Sequence, residues 1–284
     1  MTQQNDNDNN YIGIRINAQE FMQLSQLIKS HFGIHLTETK KSLIEGRFQK
    51  VLKKLNLFTF KDYLAYLNMP GQNTTQKLGE LIDRISTNHT FFHREASHFD
   101  FLEKVILPEI KAKNQTSKRI RMWCAASSYG QEPYTLAMRM MKFFGPDYKN
   151  WDAGLLASDI SEEALNIAIE GIYDANDVQQ LPQEWVKFGF KPLGDGRFQV
   201  LDSIRKEVTY RRFNLMNDLP FKSNFDIVFC RNVMIYFDDP TKEALVKRIY
   251  DKMNPGGYFV VSLSESLKRN SCPFNYVSPG VYQK

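Results

Sequence analysis

From Arg119 onward, short apolar runs of strand length alternate with longer stretches of helical spacing, and that alternation admits very few folds. Arg119–Cys124, Leu155–Ser158, Phe225–Cys230 and Tyr258–Leu263 are predicted as buried strands, with helices beginning near Glu132, Ser161 and Pro240. Near-continuous apolar runs suit strands covered on both faces, so the expected class is α/β, a parallel sheet between layers of helices. Such sheets bind ligands beyond the carboxyl ends of their strands. Between Gly171 and Tyr210 the alternation stalls. There Pro182, Pro192 and the turn Gly194-Asp195-Gly196 precede two short β-prone segments, Arg197–Val200 and Glu207–Phe213, which predicts an inserted antiparallel β-subdomain over about 172–210.

Ahead of the sheet the pattern is helical. Phe21, Leu24, Leu27 and Ile28 recur at helical spacing, as do Ile44, Phe48, Val51 and Leu55. Pro70 and Gly71 break this run before a helix over Gln76–Ile85. The expected division is a disordered polar leader over 1–15, a small helical domain over 16–86, a linker and lid-like segment over 87–118, and the α/β domain over 119–284.

The 42% hydrophobic and 24% charged residues of these 284 are those of a globular protein with a core. No apolar run approaches the length of a membrane span, and the N-terminus has no signal-like apolar region, so a cytoplasmic location is expected. Cys124, Cys230 and Cys272 are far apart and show no CxxC spacing, which speaks against a disulfide framework or a zinc site. His31 and His35 sit toward a helix end, and His89, His93 and His98 surround an arginine; no metal is expected.

A formal charge of +5 is mild, but its distribution is informative. On a helix from about Lys40 to Leu55, the residues Lys40, Arg47, Lys50 and Lys54 share one face, with the apolar stripe on the other. Such a face can hold an acidic partner helix or phosphates, or it can be an ordinary solvated surface. No aromatic residues interleave with the cations on that face, so nucleic acid is not the expected partner.

Four segments fall where ligand chemistry belongs. After the first strand, Ala125–Tyr134 contains small residues that permit close backbone approach, with Glu132 at a helix start; Glu132 either complements the helix dipole or meets a cationic ligand end. Asp159 ends the second strand, where an acid can accept both hydroxyls of a ribose or serve as a turn residue. Arg231 and Asn232 emerge from the strand ending at Cys230, and Tyr236 follows in an unusually apolar segment. Thr87–Glu95 joins the two halves of the chain and carries Arg94, which can bind a carboxylate in a forked geometry; the bland alternative is a helix connection with two core phenylalanines.

In this order, Thr90–Glu95 (T-F-F-H-R-E), Ser127–Tyr134, Ala157–Ile160 (A-S-D-I) and Phe225–Phe237 resemble the CheR family of chemotaxis receptor glutamate methyltransferases, over about Phe21 to Leu267. The resemblance implies a helical N-terminal domain and a Rossmann-like, S-adenosylmethionine-binding sheet with an inserted β-subdomain. It implies cofactor contacts at Asn88, Thr90, Arg94, Glu132, Asp159, Asn214, Leu215, Arg231 and Asn232, with S-adenosylhomocysteine as product. Arg94 and Tyr236 would lie nearest the transferred methyl group. Lys40, Arg47, Lys50 and Lys54 would meet the cytoplasmic helical domain of methyl-accepting chemotaxis receptors, recruiting a monomeric enzyme to membrane receptor arrays without membrane insertion. Two departures stand out: His93 replaces the usual phenylalanine, and the turn at Phe190–Phe198 is shorter than in members that dock a receptor's C-terminal pentapeptide. Docking independent of that pentapeptide is therefore expected. The other reading to weigh is a catalytically inactive, cofactor-sensing receptor-binding module.

Overall fold

In a computed structural model of the protein, residues 13–69, 74–86, 88–268 and 272–284 are described. Most of the expected leader, the Pro70-Gly71 break and Thr87 fall outside them. The chain separates into two compact units: one takes in the chain up to Thr87 together with Tyr236–Asp238, the other Asn88–Ile235 with Asp239–Lys284.

The first unit is helical. α1, Ala18–Phe32, starts at Asn17, whose side chain accepts the Glu20 N–H while Glu20 accepts the Asn17 N–H; this reciprocal cap contributes about 1 kcal/mol. Its buried face, Phe21, Leu24, Ile28 and Phe32, stops at Gly33, which takes the left-handed conformation that ends the helix, so His35 lies beyond it. α2, Lys41–Lys54, α3, Phe60–Asn68, and α4, Thr74–Ile85, complete the set. Phe48 of α2 packs edge-on against Tyr63 of α3 at 5.4 Å. The later segment in this unit is held by its backbone: the His35 N–H donates to the Tyr236 carbonyl at 2.8 Å, and Ile34 bridges Phe237. Lys29 closes the contact with an ion pair to Asp238 at 2.7 Å.

The second unit is built on a seven-stranded sheet, ordered β6-β2-β1-β7-β8-β10-β9. Its strands are β1, Arg119–Ala125; β2, Asp152–Asp159; β6, Val208–Arg212; β7, Phe225–Cys230; β8, Met253–Val260; β9, Asn275–Ser278; and β10, Val281–Gln283. All neighbours are parallel except at β10, which runs against both of its partners. Strand order reverses between β1 and β7, the point at whose carboxyl edge sheets of this kind bind ligands. Register sets what meets there: Ala125 stands opposite Ser158 on one side and Cys230 on the other. β3, Ile172–Asp174, β4, Phe190–Pro192, and β5, Arg197–Val200, form a separate antiparallel sheet in the order β3-β5-β4.

The expected architecture is present, with three corrections. Val208–Arg212 is not the tail of the β-rich excursion but an edge strand of the main sheet, because Val208 packs beside Leu155 in parallel register. The strand expected over Tyr258–Leu263 runs earlier, over Met253–Val260, and the C-terminal pair β9 and β10 escaped the sequence reading. Finally, most of 87–118 is not linker. α5, Ala96–Phe101, continues through a π-helical turn, Leu102–Ile106, into α6, Leu107–Lys113. Phe99, Leu102, Ile106, Leu107 and Ile110 enter the core, each burial contributing about 1.5–3 kcal/mol.

Candidate active site

The turn after β1 is shaped by the left-handed residues Ala126, Ser128 and Gly130, with φ of 58°, 50° and 94°. Gly130 is required: a β-carbon there would stand 2.9 Å from both the Tyr173 hydroxyl and the Ala168 side chain. It begins α7, Gln131–Phe144. Ser127 donates its N–H to the Ser158 carbonyl at 2.9 Å, while its own hydroxyl, in a residue 2% exposed, has no partner among the described residues. Such an orphan at a strand end is a place for a ligand's polar group.

Asp159 closes β2 almost wholly buried. One carboxylate oxygen accepts the Ser128 N–H at 2.8 Å and the other the Ser161 N–H at 2.9 Å, so the acid ties the β1 turn to the start of α8, Glu162–Glu170. Both oxygens are thus engaged in fixing the backbone of the turn. The Asp159 carbonyl accepts the Phe213 N–H at 2.8 Å, and this places Asn214 and Leu215 just past β6.

Arg231 is the buried cation at the end of β7. Its guanidinium pairs with Glu132 at 2.6 Å and Glu95 at 3.2 Å, lies over the Phe99 ring at 5.3 Å, and donates to the Arg94 carbonyl. Glu132 also accepts from the Cys124 thiol, so its carboxylate is committed to neighbours rather than free. Asn232, with φ 58°, turns its amide to the Ser262 hydroxyl at 2.7 Å. Its N–H and that of Ile235 are both taken by Glu265, a carboxylate whose pKa burial pushes up against the pull of these N–H groups.

The segment Asn88–Glu95 comes against the β1 turn, where the Ser128 hydroxyl reaches the Asn88 carbonyl at 3.4 Å. Thr90 is half-buried on the same loop, and Arg94 is held at its tip by the His89 carbonyl at 2.7 Å and by the face of Phe91. His93 fills the phenylalanine position with its ring edge-on to Trp185 at 5.2 Å, and its Nε2 is buried without a partner among the described residues. Burial, aided by the Arg139 charge, lowers its pKa to about 4. Of the seven non-glycine residues with left-handed backbone among those described, His93, Glu95, Ala126, Ser128 and Asn232 all lie in these loops. Strain of this kind is held where a site is built.

The cofactor contacts expected from the sequence thus fall along one edge of the second unit, linked by the bonds just named, whereas Tyr236 belongs to the first unit. The sequence reading assigned nothing to Glu95, Ser262 or Glu265, although Glu95 ends one of the quoted motifs. The basic face is not uniform at Arg47. Its guanidinium donates to the carbonyls of Arg84, Ile85 and Ser86 at 3.3, 2.7 and 3.2 Å, satisfying the end of α4, so it is a structural cap rather than a free contact. Lys40, in the turn before α2, and Lys50 and Lys54 on it remain exposed. The apolar stripe includes fully buried Leu52, with Leu55 only half-buried.

Glu95, Glu132 and Asp159 bring three carboxylates to this edge against the buried guanidinium of Arg231. An excess of negative charge of this kind suits a cationic ligand. The fold and the site together define an S-adenosylmethionine-dependent methyltransferase. Residues 19–86 match the CheR methyltransferase all-alpha domain and residues 88–282 the CheR methyltransferase SAM binding domain, and the chain belongs to that family. A chemotaxis protein methyltransferase of Borreliella burgdorferi is 39% identical over 285 residues, 99% of each chain. A probable chemotaxis protein methyltransferase of Rhizobium etli is 36% identical, covering 85% of this chain and 90% of its own. A chemotaxis protein methyltransferase of Vibrio anguillarum is 34% identical, covering 95% and 98%.

Proposed function

We propose that the protein methylates the γ-carboxylate of specific glutamates on chemotaxis receptors, giving glutamate methyl esters and S-adenosylhomocysteine in sensory adaptation. The observation that carries the reading is the gathering of Glu132, Asp159 and Arg231 at the carboxyl ends of β1, β2 and β7, with the Asn88–Glu95 loop bonded to the β1 turn. Asn88, Thr90, Glu132, Asp159, Asn214, Leu215, Arg231 and Asn232 would hold the cofactor, which supplies an electrophilic methyl carbon. A glutamate side chain, with a reference pKa of about 4.3, is already ionised near neutral pH, so no general base is needed. The carboxylate oxygen forms the new bond to carbon as the carbon–sulfur bond breaks, and no proton moves.

Arg94 and Tyr236 orient the incoming carboxylate for in-line attack, where geometry rather than acid–base chemistry lowers the barrier. Arg94 already has the His89 carbonyl as a partner, which keeps it from clamping the nucleophile too tightly; a stronger ground-state ion pair would raise the barrier.

Lys40, Lys50 and Lys54 offer an acidic receptor helix a cationic face. Docking through a C-terminal pentapeptide is not part of the proposal. The edge strand β4 has three residues and ends in Pro192, which lacks an N–H to pair with an added strand, and Asp195 is closed onto Arg197 at 2.6 Å in the turn that follows. No described helix is long and apolar enough to cross a membrane, and a monomer working in the cytoplasm at receptor arrays is the form this reading expects. The test is incubation with methyl-labelled cofactor and receptor-bearing membranes. Base-labile label on receptor bands supports the reading, and cofactor binding without any such label points instead to a sensing module.

A further inference from the structure

We propose that Glu95 is a positioning residue for methyl transfer, holding the main chain of Arg94 against the ends of β7 and β8 and so directing its guanidinium; the inference rests on the proposed role of Arg94.

Glu95 stands at the N-cap position of α5, where an acid ordinarily accepts the helix's first N–H groups, yet its side chain makes no cap bond. The carboxylate lies 3.3 Å from His98 Nδ1 of the same helix and otherwise reaches toward the strand ends. One carboxylate oxygen accepts the Leu263 N–H at 3.0 Å and lies 3.2 Å from Arg231; the other accepts the Ser262 hydroxyl at 2.7 Å, with the Asn232 amide at 3.4 Å. Arg231 and Asn232 follow β7, and Ser262 and Leu263 follow β8, so one side chain gathers both strand ends.

Arg94 is caught between these contacts. Its carbonyl accepts from Arg231, and the next residue is Glu95 itself. His93 and Glu95, on either side, both have φ of 58°, a conformation unfavourable to a non-glycine residue and so in need of holding from outside. Burial alone would raise the Glu95 pKa, but the Leu263 N–H, the Ser262 hydroxyl and Arg231 outweigh it and keep the acid ionised.

Glu95→Gln preserves shape and one acceptor oxygen while removing the charge. Amide hydrogen exchange over residues 88–95 is expected to quicken by about tenfold, with β1, β2 and β7 unchanged. Turnover on receptor should fall by about 100-fold, the loss typical of a reacting group displaced by about 1 Å, and by less than about threefold in an Arg94→Ala background. Unchanged exchange over 88–95, unchanged turnover, or an equal loss in both backgrounds overturns the proposal. Where Glu95→Gln does not fold, Ser262→Ala removes one donor to the carboxylate. It should give the same pattern in smaller measure, and no effect on exchange overturns the proposal equally. A wild-type enzyme that leaves receptors unlabelled counts against the receptor reading alone, because exchange over 88–95 still decides whether Glu95 holds the Arg94 segment.

Discussion

The guanidinium of Arg231 meets the carboxylate of Glu132 at 2.6 Å, joining the end of β7 to the first turn of α7 with the arginine side chain wholly withdrawn from solvent. Removing the cation leaves the partly buried Glu95 and Glu132 without their common partner. Arg231→Ala is therefore expected to lower the unfolding free energy by about 3–5 kcal/mol, read as a shift of the urea midpoint at constant slope. A change below about 1 kcal/mol would show that the pair is not structural.

Asp159 serves both the turn and, on the proposed reading, the ribose. Asp159→Ala should weaken S-adenosylhomocysteine binding by about 10- to 100-fold, the loss expected for a hydrogen-bonding ion worth about 1.5–3 kcal/mol. Titration calorimetry measures this directly. Undiminished binding would take Asp159 out of the cofactor site.

Arg94→Ala and Tyr236→Phe are expected to act on turnover more than on binding. Each should lower kcat by about tenfold or more while changing the product's dissociation constant by less than about threefold. The reverse split, with binding lost and kcat kept, would place these residues on the cofactor instead of the reacting carboxylate.

His93 gives a pH dependence whose sign follows from its environment. Its folded pKa of about 4 lies below the unfolded value of about 6.5, so the neutral ring stabilises the fold fully above pH 6.5 and loses that contribution as pH falls toward 4. The depressed pKa of Glu95, about 2, acts in the same direction but at lower pH, below its unfolded value of about 4.3. His93→Phe should flatten the stability profile between about pH 6.5 and 4 and stabilise the protein by about 1 kcal/mol, since it removes a buried unpaired nitrogen. Denaturation midpoints across that range decide it; a variant profile parallel to wild type refutes the account.

The basic face should divide in two under mutation. Arg47→Ala is expected to cost about 1–2 kcal/mol of stability through the uncapped end of α4. Lys50→Glu with Lys54→Glu should leave stability unchanged, raise the receptor KM and reduce its sensitivity to salt. Equal salt dependence in wild type and the double variant would mean that another surface meets the receptor.

Much of the molecule is legible from local pattern, because local pattern reports burial. Apolar runs such as Phe225–Cys230 mark central strands, and Ser161 marks a helix start, since each expresses an interaction within a few residues of chain. Motif order identified the family and the residues at the strand ends. The partners of charged groups could not be read in this way. Arg47 looks like one of several surface cations until α4 delivers its carbonyls. Arg231 and Glu132 are 99 residues apart in the chain, and Glu95 and Ser262 are 167 apart. Sequence by itself determined the central strands of the sheet and the cofactor class, because periodicity and short motifs are local. Only the tertiary structure decided which charges are free and which are bound, because a charge's partner is fixed by the packing of distant segments in a low-dielectric interior, where an unpaired ion is too costly to leave.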